Sequence, residues 1–425
     1  MKVSRYNHYW EKGDKSYFYN ALNNSYFRLP KSTGQKLHSV LSTPTFIANS
    51  LPDLYANLCA KGFIIKDEID ELEIVRSNHR AAVDSKNAFL VILPTLNCNY
   101  KCWYCIQNHV GGKMHDDVKH RIKKLINHWI KVDKIQSLHI EWFGGEPFMY
   151  YNDVVYPLSK YAKEACAAAD IPFINSATTN AYFLTEEITK DFIDLKLNSF
   201  QITLDGNREN HNEVKQMKQL ESSFDRALSH INTILLQNPQ ATILLRINYT
   251  HENLNHHIVD EVCRLIDINN RERVQVVPRK VWQVEPDSSC QELLFSIMKR
   301  FREVGFKVDL RFEVSDFISC YANKRFYVAV APDGRLVKCT ANNDLFDPHI
   351  NGQIANDGSL IWHDDFDKMY CETTFENEEC LACNRLPRCM GACPKEHVTG
   401  NNWCKFKSID TSFEDSIMEY IDSVY

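Results

Sequence analysis

The chain has 425 residues, of which 44% are apolar and 24% are charged, a composition typical of globular proteins. At about 150 residues per domain, this length predicts roughly three domains. The net charge of −6 disfavours a general nucleic-acid-binding protein, and the longest aliphatic and aromatic run, residues 88–93, is too short to span a bilayer. Because Met1–Tyr6 also lacks the apolar stretch of a secretion signal, we expect a cytoplasmic protein with no membrane or nucleic-acid partner.

Cysteine is frequent in this sequence and glycine is scarce. The fifteen cysteines are an odd number, and a reducing compartment would keep them from pairing as disulfides. Closely spaced cysteines in such a protein more often bind metal or take part in chemistry. With 14 glycines in the whole chain, an adjacent glycine pair indicates a place where the backbone requires the absence of a side chain.

The first zone, residues 1–80, is predicted to be a small winged-helix-like module. Its expected elements are a β-hairpin that turns at Asn23–Asn24, helices that contain Leu37–Leu41 and Leu54–Cys59, and a short strand at Phe63–Ile65. Residues 1–65 contain eight basic and three acidic side chains, which gives this part a charge of +5. The acidic run Asp67–Glu73 then leads into a predicted linker helix.

The second zone, residues 87–309, alternates predicted strands and helices. The strands are expected at Phe89–Leu96, Leu138–Phe143, Phe173–Thr178, Phe200–Leu204, Ile243–Tyr249 and Val274–Val277. Helical segments between them include Asp117–Ile130, Thr185–Leu195 and Phe224–Leu236. Six β/α units in this order predict an α/β fold with a parallel sheet, either open and doubly wound or a partial (β/α)6 barrel. Chemistry in such sheets lies at the carboxyl ends of the strands.

The third zone, residues 310–425, is predicted to be rich in loops. It holds eight of the fifteen cysteines and few periodic segments. We therefore expect bound metal to organise it.

Three closely spaced cysteines follow the first strand of the second zone. Cys98, Cys102 and Cys105 form a C-x3-C-x2-C loop. Three thiolates satisfy three irons of a cubane cluster and leave the fourth iron open. The alternative is half of a zinc site, with His109 or His115 as a further ligand.

The second strand ends in the sequence Trp-Phe-Gly-Gly-Glu-Pro. The pair Gly144–Gly145 would expose backbone to a ligand, and Glu146 could bind an ammonium group. Taken alone, the glycine pair also fits an ordinary turn.

Together these motifs resemble the radical S-adenosylmethionine enzymes across the whole second zone. The resemblance implies a [4Fe-4S] cluster on Cys98, Cys102 and Cys105, with the aromatic Tyr104 before the last cysteine. It also implies that the Gly-Gly-Glu-Pro motif binds the methionine amino group of the cofactor. The cofactor contacts implied in this way are Tyr104, Gly144, Gly145, Glu146, Pro147, Thr179, Asn180, Thr203, Asp205 and Arg246.

Several of these contacts match the family less closely. Ala181 follows Thr179–Asn180, where the family often has Thr-Asn-Gly. Residues 203–206 read Thr-Leu-Asp-Gly, where peptide-modifying members commonly have Ser-Leu-Asp-Gly. Arg246, together with Asn248, would reach the cofactor carboxylate, although a structural arginine is an equal alternative.

The C-terminal cysteines resemble the seven-cysteine pattern of the SPASM extension. The resemblance implies two auxiliary [4Fe-4S] clusters: Cys320, Cys339 and Cys393 would hold the first, and Cys380, Cys383, Cys389 and Cys404 the second. A fully ligated first cluster needs one more cysteine a few residues earlier, and residues 313–319 contain none. That cluster would therefore have an open iron, unless Cys290 or Cys371 completes it. A zinc ribbon is the alternative, and Cys59, Cys166 and Cys263 remain as ordinary core residues.

The first zone resembles the peptide-recognition element of enzymes that modify ribosomally made peptides. That element is a winged helix that binds a leader peptide as an added strand, and the local charge of +5 would favour an acidic leader. A DNA-binding winged helix is the alternative, but no dense basic helix is visible.

Taken together, these resemblances imply a radical peptide maturase that forms an intramolecular crosslink. Its cofactors would be S-adenosylmethionine and three [4Fe-4S] clusters. Its partners would be a precursor peptide and an electron donor such as ferredoxin or flavodoxin. The first alternative is a sulfatase-maturating enzyme, which usually has aspartate after the residue that matches Cys339, whereas this chain has Thr340. The second is a catalytically silent peptide-binding scaffold. A small-molecule dehydrogenase of the same superfamily is a further, weaker alternative. Asp205, Arg279 and Tyr321 are candidates to line the substrate cavity.

Overall fold

The computed structural model describes residues 1–107, 109, 111–215, 222–311, 320–341, 352–363, 366–372, 375–398, 404, 406 and 409–425. Within this part of the chain, no helix has both the length and the apolar character needed to cross a membrane. A large, mostly parallel sheet forms the centre, and a smaller antiparallel sheet is built from the N-terminal residues.

The N-terminal sheet contains three strands. The first elements of the chain are β1 (Lys2–Val3), β2 (Asn7–Lys12), β3 (Lys15–Asn20) and β4 (Ser25–Pro30). The sheet has the order β2–β3–β4, with both pairs antiparallel. Gly13 has a φ of +60° in the two-residue turn between β2 and β3. The hairpin predicted around Asn23–Asn24 is present as β3–β4, and Asn24 takes a φ of +53°, which asparagine tolerates better than most residues.

Three helices pack on this sheet. They are α1 (Lys31–Leu41), α2 (Pro44–Ser50) and α3 (Pro52–Ala60), and β5 (Ile64–Ile65) then pairs antiparallel with β1. Both α2 and α3 have proline in their first turn, where the missing N–H removes no helical hydrogen bond. Phe18, Leu37, Ile47, Leu58 and Phe63 are buried together between the helices and the sheet. The winged-helix assignment stays a prediction, because the order of these elements is consistent with it but does not establish it.

The predicted linker helix is α4 (Glu71–Val83). The Asp70 side chain caps it by accepting a hydrogen bond of 3.1 Å from the Glu73 backbone N–H. Val75 and His79 are buried on its inner face.

A buried histidine of α4 predicts how stability depends on pH. Burial lowers the pKa of His79 to about 4, whereas an unfolded histidine has a pKa of about 6.5. The folded state therefore binds fewer protons, and this contribution to stability is lost as the pH falls from 6.5 towards 4. His79→Phe keeps a ring against Phe375, whose centroid lies 4.8 Å away. We expect the free energy of unfolding, measured in urea, to fall between pH 7.5 and pH 5 for both proteins. The fall should be about 2 kcal/mol smaller for the variant than for wild type. Equal acid sensitivity of the two proteins would contradict this assignment.

The six predicted β/α strands form the central parallel sheet. They are β6 (Asn87–Ile92), β7 (Ser137–Trp142), β8 (Phe173–Thr179), β9 (Leu197–Leu204), β10 (Thr242–Tyr249) and β11 (Val274–Lys280). Each strand pairs in parallel with the next in sequence. The helices of this region are α5 (Asp116–His128), α6 (Tyr156–Ala168), α7 (Glu186–Thr189), α8 (Arg208–Lys215), α9 (Ser223–Gln237), α10 (His257–Leu265) and α11 (Gln291–Glu303). Alternate strand residues such as Leu90, Ile140 and Ile202 face the helices and form the main apolar core.

The predicted helix Thr185–Leu195 is shorter in the structure. Only α7 is helical, because the N–H groups of Asp191 and Phe192 bond to carbonyls three residues back and not four. Lys196 then adopts a φ of +52°, and β9 starts directly after it, three residues before the predicted Phe200.

The C-terminal zone contributes to the central sheet. β12 (Tyr327–Val330) pairs in parallel with β6, and β13 (Leu336–Val337) pairs antiparallel with β12. The sheet order is therefore β11–β10–β9–β8–β7–β6–β12–β13, so that β6 pairs with β12 and not with β11. The fold is the partial barrel that the sequence predicted. The zone that we expected to be mainly loops supplies its outer edge.

The remaining described elements are short, apart from the last helix. They are the hairpin β14 (Gly352–Ile354) and β15 (Leu360–Trp362), and the helices α12 (Phe366–Glu372), α13 (Glu378–Ala382), α14 (Leu386–Cys389), α15 (Pro394–Val398) and α16 (Phe413–Val424).

The last helix packs against the N-terminal sheet. The ring of Phe413 lies 5.4 Å from that of His8, and the Asp422 carboxylate accepts hydrogen bonds from the Tyr17 hydroxyl at 2.9 Å and from Lys15 Nζ at 3.1 Å. The two ends of the chain thus share one apolar cluster. The boundaries predicted near residues 80–87 and 309–310 remain predictions.

Candidate active site

A cavity of about 490 Å³ lies at the carboxyl ends of the central strands. Inward-facing residues of four neighbouring strands line it: Glu141 on β7, Thr178 on β8, Gln201 and Thr203 on β9, and Arg246 and Asn248 on β10. Thr179, the last residue of β8, also lines it. The side chains that point outward from the same strands belong to the apolar core. The two-residue repeat of a strand therefore separates a polar cavity from an apolar helix layer.

The loop after β6 brings its three cysteines to one end of this cavity. Cys98, Cys102 and Cys105 all line it, and a turn between Cys105 N and Cys102 O of 3.0 Å folds the loop back. Asn180 Nδ2 lies 3.6 Å from the sulfur of Cys98, and Lys215 Nζ lies 3.6 Å from that of Cys102. An amide donor and a buried ammonium beside these sulfurs suit thiolates that hold a cluster.

The two histidines considered as zinc ligands are placed differently. His109 Nε2 lies 3.5 Å from the Cys105 sulfur. His115 instead precedes α5, and its backbone N–H bonds to Pro332 O. Of the two, only His109 reaches the cysteine loop, so the geometry leaves the zinc alternative open through that residue.

The glycine pair holds the end of β7 against the start of the cysteine loop. Gly145 N donates to Thr95 O at 3.1 Å, and Glu146 N donates to Asn97 O at 2.9 Å. Gly144 has a φ of +122°, which strongly favours glycine, and a Cβ on Gly145 would overlap the carbonyl of Asn97. The scarcity of glycine in the chain thus marked a true backbone requirement.

Glu146 lies behind the cavity wall and is fully buried. Its carboxylate accepts hydrogen bonds from Thr179 Oγ1 at 2.8 and 2.9 Å, from Asn180 N at 2.8 Å and from Phe148 N at 3.1 Å. Burial raises its pKa to about 7, against the effect of these donors. The sequence predicts that this side chain binds an ammonium group. In the structure, its carboxylate already accepts hydrogen bonds from three neighbouring residues. The backbone of Gly144 and Gly145, and not Glu146 or Pro147, faces the cavity.

A buried ion pair supports the other side of the cysteine loop. Lys215 Nζ lies 2.9 Å from Asp205 Oδ2, and the two side chains are 4% and 1% exposed. The Tyr104 hydroxyl donates to Asp205, and Asn248 Nδ2 donates to Tyr104 at 2.9 Å. Although burial opposes both charges, Lys215 keeps the pKa of Asp205 below its usual value, and Asp205 raises that of Lys215. The pair fixes Tyr104 and directs a cation at Cys102.

The sequence motifs predict Asp205 and Tyr104 but neither Lys215 nor His211. His211 Nδ1 accepts the Asp205 backbone N–H at 3.2 Å, and burial lowers its pKa to about 3, so the ring is neutral. The signal that was overlooked is the spacing of these two residues. They lie four apart on α8, directly after the Leu-Asp-Gly turn, and therefore face the same way.

The remaining predicted cofactor contacts also line the cavity. They are Thr179, Asn180, Thr203 and Arg246. Arg246 Nε donates to Asn248 Oδ1 at 2.8 Å, a bond that serves a structural or a cofactor-binding arginine equally well.

The far end of the cavity reaches the C-terminal zone. Tyr321, Tyr327, Thr340 and Ala341 line this end, and the Tyr321 and Thr340 hydroxyl oxygens are 3.3 Å apart. Cys339, directly before Thr340, packs in one small cluster with Cys320 and Tyr321. The cavity therefore runs from the first cysteine loop to the neighbourhood of Cys339.

Glu141 is a further cavity residue that the sequence motifs do not predict. One of its oxygens accepts a hydrogen bond from Thr178 Oγ1 at 2.8 Å, and burial raises its pKa. Among the described residues that line the cavity, it carries the one carboxylate. Glu141 lies two residues before Phe143, and alternate residues of a strand face the same side. This spacing could have predicted that Glu141 faces the cavity.

The C-terminal cysteines fall into two neighbourhoods. Burial and the charge of nearby Cys393 raise the pKa of Cys339, and Cys320 belongs to the same cluster. Burial and the charges of Cys383 and Cys404 raise the pKa of Cys380, beside which Cys389 packs in the apolar cluster of the N-terminal sheet. The placement matches the two predicted cluster groups, which stay predictions.

The two cysteines considered as extra ligands lie in other surroundings. Cys290 precedes α11, beside Asp287. Cys371 Sγ lies 3.9 Å from Lys338 Nζ and lines a second, smaller cavity near Arg76. Residues 313–319, in which the sequence lacks a further cysteine, lie outside the described residues.

Comparison with known proteins assigns the central region to a family. Residues 92–259 match the profile of the Radical SAM superfamily. The radical SAM cyclopropyl synthase TigE of Paramaledivibacter caminithermalis is 22% identical over 399 residues, which cover 82% of this chain and 78% of that protein. The serine-type anaerobic sulfatase-maturating enzyme of Bacteroides thetaiotaomicron is 25% identical over 148 residues, covering 32% of this chain and 34% of that enzyme.

Two solved structures share the fold at low sequence identity. Native anSMEcpe with bound AdoMet has a TM-score of 0.55 and 16% identity, covering 79% of this chain and 96% of that one. Streptococcus suis SuiB bound to S-adenosylmethionine has a TM-score of 0.50 and 17% identity, covering 92% of this chain and 95% of that one.

Proposed function

Because this chain carries a radical SAM domain over residues 92–259, we propose that it is a peptide maturase that forms an oxidative intramolecular crosslink, a thioether or a carbon–carbon bond, in a ribosomally made precursor. One observation carries the proposal. A single cavity joins the Cys98–Cys105 loop to the surroundings of Cys339, so a substrate placed in it lies between two cluster sites.

The residues present fit S-adenosylmethionine and the one cluster that the radical SAM domain implies. Three thiols at one end, the bare backbone of Gly144–Gly145 and the polar side chains of β8 to β10 surround a space of adequate size. Bound there, S-adenosylmethionine and the clusters would supply a hydrogen-abstracting radical and a route for the electron released when the new bond forms.

The protein's own contribution is positioning and exclusion of water. The Asp205–Lys215 pair and the Thr95–Gly145 hydrogen bond fix the cysteine loop from two sides. Tyr321, Tyr327 and Phe89 form an aromatic wall opposite it, with ring centroids 4.7 to 6.2 Å apart. A substrate held between these walls presents one C–H bond to the cofactor side, which is an orientation effect.

One solved structure supports a peptide substrate. A structure of anSMEcpe that contains the Cp18Cys peptide has a TM-score of 0.54 to this chain. The anSMEcpe match leaves about a fifth of this chain uncovered, since it spans 79%, whereas the SuiB match spans 92%.

We further propose that residues 1–80 bind the leader of the precursor. Strand β2 is an edge strand with β3 as its one partner among the described strands, so a peptide can add beside it. The charge of +5 over residues 1–65 would attract an acidic leader.

Co-expression with a short peptide encoded beside the gene, followed by mass spectrometry, tests the proposal. A crosslink removes two hydrogens, so we expect a loss of about 2 Da and fragment ions missing inside the bridged segment. Serine oxidation to formylglycine also removes about 2 Da, but its aldehyde reacts with a hydrazide probe. Labelling by that probe would overturn the crosslink in favour of the sulfatase-maturating alternative.

An assay of the anaerobically reconstituted protein separates the enzyme from a silent scaffold. About twelve irons per chain, for three cubane clusters, and reductant-dependent 5′-deoxyadenosine are expected. Zinc in place of iron, or iron without cofactor cleavage, would overturn the catalytic assignment.

Glu141 is proposed to take the proton that leaves the substrate during bond formation. Its side chain lines the cavity, and burial raises its pKa. We expect Glu141→Gln to lower crosslinked product about 100-fold while 5′-deoxyadenosine still forms. The exposed Glu187→Gln on α7 is the matched control and should keep wild-type product yield. Equal product from the two variants would contradict the role.

A further inference from the structure

We propose that His251, Asp287 and Cys290 form a binding site for a single Zn²⁺ ion, separate from the cluster cysteines. One ligand atom from each residue lies within 4.8 Å of the others. His251 Nδ1 is 4.0 Å from Asp287 Oδ2. Tetrahedral zinc with these donors needs ligand atoms about 3.3 to 3.8 Å apart, so side-chain adjustments of about 1 Å would close the site.

A fourth residue, Asp410, lies next to the other ring nitrogen of the same histidine, Nε2. Its side chain is fully buried, and its Oδ2 has no hydrogen-bond partner among the described residues. This oxygen lies 3.7 Å from His251 Nε2, which also lacks a hydrogen-bond partner in the described part of the chain. A metal-bound histidine usually donates its other N–H to a carboxylate, and Asp410 is placed to accept it.

The surrounding loops hold these donors in place. Asp410 Oδ1 accepts the Asp287 backbone N–H at 2.9 Å, and Asp287 Oδ1 caps the turn that contains Cys290 by accepting the Ser289 N–H at 2.8 Å. His251 lies two residues after the end of β10. The site therefore joins two loops, which follow the cavity-lining residues Asn248 and Gln283 in the chain, to the C-terminal zone.

The donor set selects the metal. One thiolate, one imidazole and one carboxylate suit zinc better than calcium or magnesium, which take oxygen ligands. His251 and Asp287 have side-chain exposures of 27% and 43%, so an ion and one water molecule can reach the fourth position. The bound ion would fix these two loops against the C-terminal zone.

Zinc binding to protein whose clusters are already loaded with iron tests the proposal. After incubation with ZnCl₂ and gel filtration, we expect about one zinc per chain with unchanged iron by elemental analysis. X-ray absorption at the zinc edge should show one sulfur at about 2.3 Å and the other ligands, nitrogen or oxygen, at about 2.0 Å. Zinc surrounded by four sulfurs, or no retained zinc, would overturn the site.

Variants make the assignment specific. His251→Ala and Cys290→Ser should each lose the zinc, and Asp410→Asn should weaken it about 10- to 100-fold while keeping the single sulfur. Cys263 is another partly buried cysteine, and it packs against the same main apolar core as Cys290. Cys263→Ser is therefore the control and should bind zinc as wild type does. Full zinc binding by both the His251 and Cys290 variants would overturn the proposal.

Discussion

Replacing Asp205 with asparagine is expected to lower the free energy of unfolding by about 3–5 kcal/mol, because Lys215 is then left as a buried charge without its carboxylate. Both side chains are almost fully buried and 2.9 Å apart, so little water can take the place of the lost partner. The loss is measured from urea unfolding of the cluster-loaded protein by circular dichroism.

A surface ion pair of similar geometry provides the control. Asp194 lies 2.8 Å from Lys163 Nζ, but its side chain is 66% exposed. Asp194→Asn should therefore cost about 1 kcal/mol or less. The double variant Asp205→Asn with Lys215→Met should be more stable than Asp205→Asn alone, since it removes the uncompensated cation. Similar losses at Asp205 and Asp194 would show that the buried pair does not support the fold as described.

Replacing Gly145 with alanine is expected to lower 5′-deoxyadenosine formation about 100-fold, because the added Cβ overlaps the carbonyl of Asn97 and displaces the start of the cysteine loop. The overlap is with backbone atoms, which cannot move aside as a flexible side chain does. The Thr95 and Asn97 carbonyls that accept hydrogen bonds from residues 145 and 146 would shift with the loop.

Gly112 offers a matched substitution on the far side of the same loop. A Cβ at this position has no atom within 4 Å, so Gly112→Ala should retain wild-type cofactor cleavage. Both variants are assayed with reductant and S-adenosylmethionine after equal iron loading. Wild-type cleavage by Gly145→Ala would refute the role assigned to the glycine pair.

The sequence determined the elements whose signals are local. The six strands of the barrel lie where runs of apolar residues predicted them. Helices cover one face of each strand, so at least every second residue of the strand must be apolar. The spacing of Cys98, Cys102 and Cys105 and the scarcity of glycine singled out residues that line one end of the cavity. These features depend on residues close in sequence, which a pattern can show.

Features that depend on distant residues were decided by the tertiary structure. The Gly-Gly-Glu-Pro motif predicts that Glu146 binds an ammonium group. In the structure, Thr179 and Asn180 at the end of β8 donate hydrogen bonds to its carboxylate. Lys215 lies 113 positions from Cys102, and the fold alone brings the ammonium to that sulfur.

The placement of the C-terminal zone shows the same division. The resemblance assigned its cysteines to two cluster groups, and this assignment stays a prediction. The pairing of β12 with β6 and the packing of α16 on the N-terminal sheet left no local signal. Strand pairing and helix docking satisfy backbone hydrogen bonds and bury apolar surface between segments far apart in the chain, so their energy resides in the folded arrangement and not in any one stretch of sequence.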